Sequence, residues 1–370
     1  MTSGHLARDT RIFHKQAKSL TKAGYDVILI VRHEKNEVMD GVKVTALPKA
    51  RNRLWSMLGT WRMFKLAYRQ KCDVYHFHDP QLLPVGLLLK LLTKGKVIYD
   101  THEDYPKIIL TMRWLPPIAR RLVSYVFSFL EKSVSARLDY VVAATDSIAK
   151  EFKTGKVATI KNYPVLERIQ PKCKYNSEPT TLIYAGLLTE SKGISELVQA
   201  MKYLDYSRNI KLTLCGEFSP ESYEEKVRRL EGFEKVEYLG WLKPEEVWLQ
   251  MTQATVGIVC LHPIPTYVVA MPVKLFEYMA AGLPVIASNF PLWKEIVEVN
   301  NCGLTVNPLN PIEIAKAIEY LVEHPDEAKM MGVNSRKAIV EKYNWENESR
   351  KLIALYARLV PSTCPSGNVC

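Results

Sequence analysis

The sequence predicts an α/β fold of two tandem domains, each a parallel sheet with helices on both faces. Three observations predict it. The 370 residues exceed one ordinary domain, at roughly 150 residues each. Short apolar strands alternate with helical stretches in two successive series, the pattern of βαβ units. A proline-containing, aperiodic stretch separates the series, and we place a linker at 166–179. The domains are then 1–165 and 180–345, with a C-terminal helix and tail over 346–370.

In the first series the strands are Tyr25–Val31, Val74–Phe77, Lys96–Tyr99 and Tyr140–Ala144. The helix before the first of them has an apolar stripe that includes Ile12, Ala17 and Leu20. The second series reads Thr181–Ala185, Ile210–Cys215, Val236–Leu239, Thr255–Leu261, Pro284–Ala287 and Gly303–Val306. Ile194, Leu197, Val198, Met201 and Leu204 form an amphipathic helical stripe between two of them. Asn344–Leu359 is the last helix, and 361–370 reads as a frayed tail. Both domains are Rossmann-like. Such a domain opens with its central strand, yet this chain opens with Met1-Thr2-Ser3-Gly4, which resembles the loop after one. Asp9 or Thr10 would cap the following helix. The first domain is therefore expected to lack its first strand, either because the true start lies upstream or because the sheet is built without its middle.

Composition excludes several classes. Apolar residues at 47% and charged residues at 24% exclude wholesale disorder. Apolar runs such as Leu82–Leu89 are far short of the ~20 residues that span a bilayer. No signal-peptide pattern is read at the start. Seven cysteines without a Cys-x-x-Cys pair suit a reducing cytosol. The net charge of +11 divides unevenly: +16 over 1–175 and −5 over 176–370. A basic half facing something anionic is implied.

The most informative stretch runs from Met271 to Val285. Pro272 suits a helix start, and Gly282 with Pro284 suits its end. Lys274 sits in the first turn, where a cation opposes the helix dipole unless an anion binds there too. Glu277 is too deep for a capping box, and a carboxylate there can accept from two vicinal hydroxyls, as on a ribose. An ordinary helix with a solvated Glu and Lys is the alternative. Tyr184-Ala185-Gly186 to Lys192-Gly193 reads as strand, glycine loop and helix, with Lys192 again a cation at a helix start. It is not a Walker A loop. In the basic half, His76, His78 and Asp79 end one strand, and His102, Glu103 and Asp104 end the next, where open α/β sheets bind ligands. A metal site is not expected, since His-x-His-Asp is not a zinc spacing. His102 is the better catalytic candidate, because an imidazole can orient a hydroxyl near neutral pH.

Together these segments resemble the retaining nucleotide-sugar glycosyltransferases of family 4, over essentially the whole chain. The most specific motifs are His76-Phe77-His78-Asp79-Pro80, Tyr99-Asp100-Thr101-His102-Glu103-Asp104-Tyr105-Pro106 and the Lys274–Pro284 block, which resemble the branch that builds bacterial surface polysaccharides. The resemblance implies the GT-B fold of two Rossmann-like domains. It implies a nucleoside-diphosphate sugar on the second domain. Glu277 would hold the ribose, Lys192 with Val273, Lys274 and Leu275 the diphosphate, Gly186 the adjoining loop, and Gly240-Trp241 the base. Gly4 would lie near the phosphates and His102 near the transferred sugar. His78, Asp79, Glu103 and Asp104 would serve the acceptor side. No metal or bound cofactor is implied. Two positions depart from the family: Leu187 stands where many members have arginine, and Val269 stands eight before Glu277, where a glutamate usually contacts the donor sugar. Donor identity is therefore not carried over. A catalytically silent donor-binding or scaffold subunit of a polysaccharide assembly complex is the alternative.

Two aromatic, basic stretches remain. Leu54, Met57, Leu58, Trp61, Phe64 and Tyr68 share one helical face beside Arg53, Arg62 and Arg69. Pro116–Leu138 combines Arg120, Arg121, Tyr125, Phe127 and Phe129. Such helices suit anionic membrane interfaces, and both also suit domain core. No nucleic-acid module accompanies the charge. The expected partners are a nucleotide-sugar donor, a lipid-linked or glycan acceptor and an anionic membrane surface. The expected location is cytoplasmic, peripheral on the inner face of the cytoplasmic membrane.

Overall fold

The computed structural model describes residues 1–47, 53–112, 114–153, 155–169, 171, 180–205, 209–360 and 368–369, with backbone alone for 53–58 and 368–369. The chain divides into two compact units. Unit 1 comprises Met1–Asn162 and Trp345–Cys370, and unit 2 comprises Tyr163–Asn344. The division falls upstream of the stretch read as linker, of which 170 and 172–179 lie outside the described residues. The last helix returns to unit 1.

Unit 1 carries β1 (Asp26–Arg32), β2 (Glu37–Met39), β3 (Val42–Leu47), β4 (Val74–Phe77), β5 (Lys96–Thr101), β6 (Tyr140–Ala143) and β7 (Val157–Thr159). β2 and β3 form an antiparallel hairpin, and the remaining pairs are parallel. β4 is buried at all four positions, as expected of a parallel strand covered on both faces. The centre of the sheet, between β1 and β4, is filled from two directions. Asn368–Val369, at the end of the tail read as frayed, pairs in parallel with β1 and with β4. Further along the same line, the Met1 amine donates to the His76 carbonyl at 2.6 Å and the Thr2 N–H to that of Ile30 at 3.0 Å. Among the described residues no longer strand occupies this place.

The helix Thr10–Ala17 has π geometry, and Asp9 caps it by accepting from the N–H groups of Arg11 and Ile12. The Trp345–Leu359 helix is pinned to unit 1 by side chains. Trp345 Nε1 donates to Ser19 Oγ at 2.9 Å, and the Tyr356 hydroxyl bonds His76 Nδ1 at 2.7 Å. The Lys161 N–H donates to Glu348.

Unit 2 holds β8 (Thr180–Ala185), β9 (Ile210–Cys215), β10 (Val236–Gly240), β11 (Val256–Val259), β12 (Val285–Ser288) and β13 (Gly303–Val306). Their order is β10-β9-β8-β11-β12-β13, parallel throughout. The order reverses between β8 and β11, and ligands of open α/β sheets bind outside the strand ends at such a reversal. Along β8, Leu182 and Tyr184 enter the core on one face and Ile183 and Ala185 the core on the other. The five residues of the predicted stripe from Ile194 to Leu204 are all buried in the first of these cores.

Candidate active site

Four elements of unit 2 converge at the reversal. β8 ends in Gly186, whose φ of 131° lies in the region that favours glycine. A side chain there would collide with the end of Lys274, so the bare glycine gives that lysine its place. Gly216 follows β9 and Gly240 ends β10, also with positive φ. Backbone bonds of 2.7 Å link the three strand ends, from Gly186 N–H to the Cys215 carbonyl and from Gly216 N–H to the Gly240 carbonyl. Trp241, next in the chain, is largely exposed.

The helix Val273–Ala280 follows β11. Pro272 is its N-cap rather than its first residue, so the N–H groups of Val273 and Lys274 have no intrahelical acceptor. The Leu275 N–H turns back to the Pro272 carbonyl, and its side chain is buried. At the far end Gly282 and Leu283 donate to Met279 and Tyr278, closing the helix in a Schellman motif. Tyr278 anchors the helix under β8, its hydroxyl accepting from the Ala185 N–H at 2.9 Å. Glu277 lies one turn inside the helix, half-buried.

Lys274 lies with Nζ 5.3 Å from the Tyr184 ring centroid. Burial, then the charge of Lys192, push its ammonium down to about 8 against the opposing pull of Glu277. Lys192 ends the short 3-10 turn Glu190–Lys192, just before the left-handed Gly193 and the helix Ile194–Tyr203. Its Nζ is 3.9 Å from the Tyr267 ring centroid. Burial works to raise the Tyr267 phenol, and hydrogen bonds from Lys192 and Ser191 overcome it and lower the pKa. The structure thus gathers Gly186, Lys192, Lys274 and the 273–274 N–H groups, with Glu277 one turn along. Two departures from the family pattern, Leu187 and Val269, are both exposed. Gly216 and Tyr267 escaped the sequence reading. The former had only a short strand before it as a signal, and the latter none.

In unit 1 the expected residues divide into two groups. Asp79 is buried beneath the opening loop. Its carboxylate accepts from Thr2 Oγ1 at 2.7 Å, from Gly4 N–H at 3.0 Å and from the Ser3 N–H, and meets His5 Nδ1 at 3.2 Å. Burial alone would raise its pKa, but His5, Thr2, Ser3 and Gly4 hold the carboxyl far below its usual range. Gly4 therefore spends its N–H on Asp79. His78 is buried and stacked on His76, ring centroids 4.8 Å apart. Asp79 thus holds the opening loop in place.

Glu103 and Asp104 do line one, of about 110 Å³, with Thr101, Lys107, Glu131 and Glu151. Asp104 also caps the helix Tyr105–Thr111 and pairs with Lys107 at 2.6 Å. Burial pushes Glu131 up to about 7, although its Oε1 accepts from the Tyr99 hydroxyl. His102 is half-buried, its ring edge-on to His5 at 5.1 Å, and burial pushes the pKa of its imidazole down.

At the centre lies a residue given no role from sequence, Asp100. Arg11 donates to both its oxygens at 3.0 and 3.2 Å, and Gln16 at 2.6 Å. Burial opposes its charge, but Arg11, His76 and His78 hold it ionised. His76, His78 and Asp100 bring ligand-type atoms within 4.8 Å of one another. Both oxygens already accept strong bonds, and the guanidinium beside them repels a second cation. The guanidinium and the two imidazoles thus surround one buried carboxylate.

Fold and site together define a class: a two-domain, Rossmann-like α/β protein with a cationic, glycine-lined cluster at the strand ends of its second unit. Comparison with known proteins narrows it. Residues 166–338 match the model of glycosyl transferases group 1, and 10–162 match glycosyltransferase family 4. A MMP alpha-(1->4)-mannosyltransferase of Mycolicibacterium hassiacum is 23% identical over 76% of this chain and 70% of its own. Among solved structures, sucrose-phosphate synthase of Thermosynechococcus elongatus superposes with TM-score 0.73 at 19% identity, covering 93% and 91% of the chains. HepE of Anabaena, solved with UDP-glucose, gives 0.68 at 13%, covering 96% and 98%. The chain belongs to the family 4, group 1 glycosyltransferases of the GT-B fold and is a nucleotide-sugar glycosyltransferase.

Proposed function

We propose that this enzyme moves a hexose from a nucleoside-diphosphate sugar to a hydroxyl, with retention at C1, and that the acceptor is a lipid-linked glycan in cell-surface polysaccharide synthesis. The observation that carries the donor half is the gathering of Lys192, Lys274 and a helix N-terminus at the switch point of unit 2. Three cationic or partly positive groups converging there suit a diphosphate. Glu277 would accept from the ribose hydroxyls, and Gly240-Trp241 would flank the base. HepE, solved with UDP-glucose, shares the fold. In the reaction the acceptor oxygen bonds C1 as the bond from C1 to the phosphate oxygen breaks on the same face. The acceptor proton passes to the departing phosphate. Lys192 and the 273–274 N–H groups balance the charge that forms there, and His102 orients the transferred sugar. These groups supply what a divalent cation would otherwise supply, so a chelator should leave turnover unchanged. A chelator-sensitive rate that added magnesium restores would overturn that part.

The test of the whole is a thermal-shift screen of nucleotide sugars, followed by transfer to a membrane extract with product anomeric configuration read by NMR. The reading fails if no nucleotide sugar raises the melting temperature. On this reading the enzyme works peripherally at the inner face of the cytoplasmic membrane; among the described residues no helix is long and apolar enough to cross one.

Lys274 adds a pH dependence. The free protein loses its ammonium charge above about pH 8, and a bound diphosphate favours regaining it. Donor affinity should be level below that value and weaken toward about tenfold per pH unit above it. Binding near the same pH should take up a proton, seen by calorimetry in buffers of different ionisation enthalpy. Lys274→Met should abolish the uptake. An affinity that stays level well above pH 8 would show that the ammonium does not meet the donor.

A further inference from the structure

The helix Pro117–Ser135 is turned inside out. The residues it buries are Ser124, Glu131 and Ser135. Ile118, Leu122, Tyr125 and Phe129 are 84%, 64%, 74% and 63% exposed. Their spacing puts all four on one stripe, opposite the three buried residues. Trp114, just before the helix, is 75% exposed. The sequence reading also allowed this stretch as domain core, and the exposure corrects that. Surface helices of globular proteins show the reverse arrangement, and an exposed apolar patch of this kind marks an interaction. By contrast the Arg53–Gln70 helix buries Met63, Phe64 and Ala67, so its described portion is anchored in the core.

Charge identifies the occupant. Residues 105–137 carry six basic side chains and one acidic, and that acid, Glu131, is buried. Arg121 is exposed beside the stripe. Arg137 donates to a neutral backbone carbonyl, that of Ser133. Lys107 and Lys132 pair with Asp104 and Glu151. A second copy would bring arginines against arginines. An anionic lipid surface offers both the apolar layer for the stripe and the charge for its flanks.

We infer that Trp114–Ser135 is the membrane-docking element, lying along an anionic bilayer with its stripe at the boundary of headgroups and acyl chains. This deepens the membrane location proposed above and rests on that reading for its biological use. Vesicle binding is measured without sugar transfer, so either can fail alone.

The intact protein is co-sedimented with vesicles of phosphatidylcholine, alone or mixed with phosphatidylglycerol. Partition onto the mixed vesicles should be stronger by about tenfold or more and weaken with salt. The combined variant Ile118→Ser, Leu122→Ser, Phe129→Ser should lose about tenfold or more. Arg121→Ser with Arg137→Ser should lower partition severalfold and flatten the salt dependence. Because the stripe is exposed, the triple variant should keep the wild-type melting temperature and its shift on adding nucleotide sugar. Equal binding to both vesicles, or wild-type partition by the triple variant, overturns the proposal. So does a wild-type dimer in sedimentation equilibrium that the triple variant abolishes without any change in vesicle binding. A missing nucleotide-sugar shift in the wild type would instead count against the donor reading.

Discussion

Replacing Lys192 by alanine is expected to lower kcat by about two to three orders of magnitude while the donor dissociation constant changes less than about tenfold. The asymmetry follows from where charge appears. The diphosphate is anionic in the donor, but it gains a further negative charge only as the bond to C1 breaks. A fixed ammonium at that point is worth more in the transition state than in the ground state, and so acts on turnover rather than on binding. The position is specific. Lys192 ends a 3-10 turn against the left-handed Gly193, with its amine over the Tyr267 ring. Tyr267→Phe should be milder than Lys192→Ala, because the ring remains although the hydroxyl's bond to Lys192 is lost. Steady-state kinetics beside equilibrium donor titration decides the matter. A Lys192→Ala enzyme within about threefold of the wild-type kcat would remove Lys192 from the site.

The second large effect is on stability. Arg11→Leu should destabilise unit 1 by about 3–5 kcal/mol, because it strands a carboxylate in the interior. Asp100 is 0% and Arg11 5% exposed. The guanidinium donates to both carboxylate oxygens and to the Ile160 carbonyl at 3.1 Å. Without it, the neutral His76 and His78, 3.4 and 3.7 Å from the same oxygen, become the available proton acceptors. Their protonation would restore a partner, so the loss should shrink as the pH falls. Asp100→Asn in the Arg11→Leu background should recover part of the stability, since the stranded charge is gone. Urea melts near neutral and at mildly acid pH test both statements. A loss below about 1 kcal/mol would show the pair to be dispensable.

Strands bounded by turn residues were legible to the residue, as with Val74–Phe77, Ile210–Cys215 and Gly303–Val306. The hairpin Glu37–Met39 with Val42–Leu47 was not, because it lies at a sheet edge and shows a weak apolar pattern. Val157–Thr159 is three half-buried residues, too short for any period. In the site, Lys192, Lys274, Glu277, Gly186 and Gly240 could be singled out because each sits at a local signal, a strand end or a helix start. Asp100 could not. Its partners Gln16 and Arg11 are 84 and 89 residues away, and only the sheet brings them together. Composition marked Pro116–Leu138 as aromatic and basic, and of the exposed stripe it named only Tyr125 and Phe129, without a direction. An apolar stripe opposite serines looks the same in sequence whether it faces a core or water.

The return of the last helix to unit 1 has a consequence for synthesis. Unit 2 is one unbroken stretch inserted in a discontinuous unit 1. At the usual pace of translation, the residues from Trp345 onward follow the completion of unit 2 by about one to five seconds. Until they emerge, Ser19, His76 and Lys161 wait for Trp345, Tyr356 and Glu348. The unit whose synthesis starts first is thus finished last, and a released chain truncated before Trp345 would keep every residue of unit 2 while leaving unit 1 open.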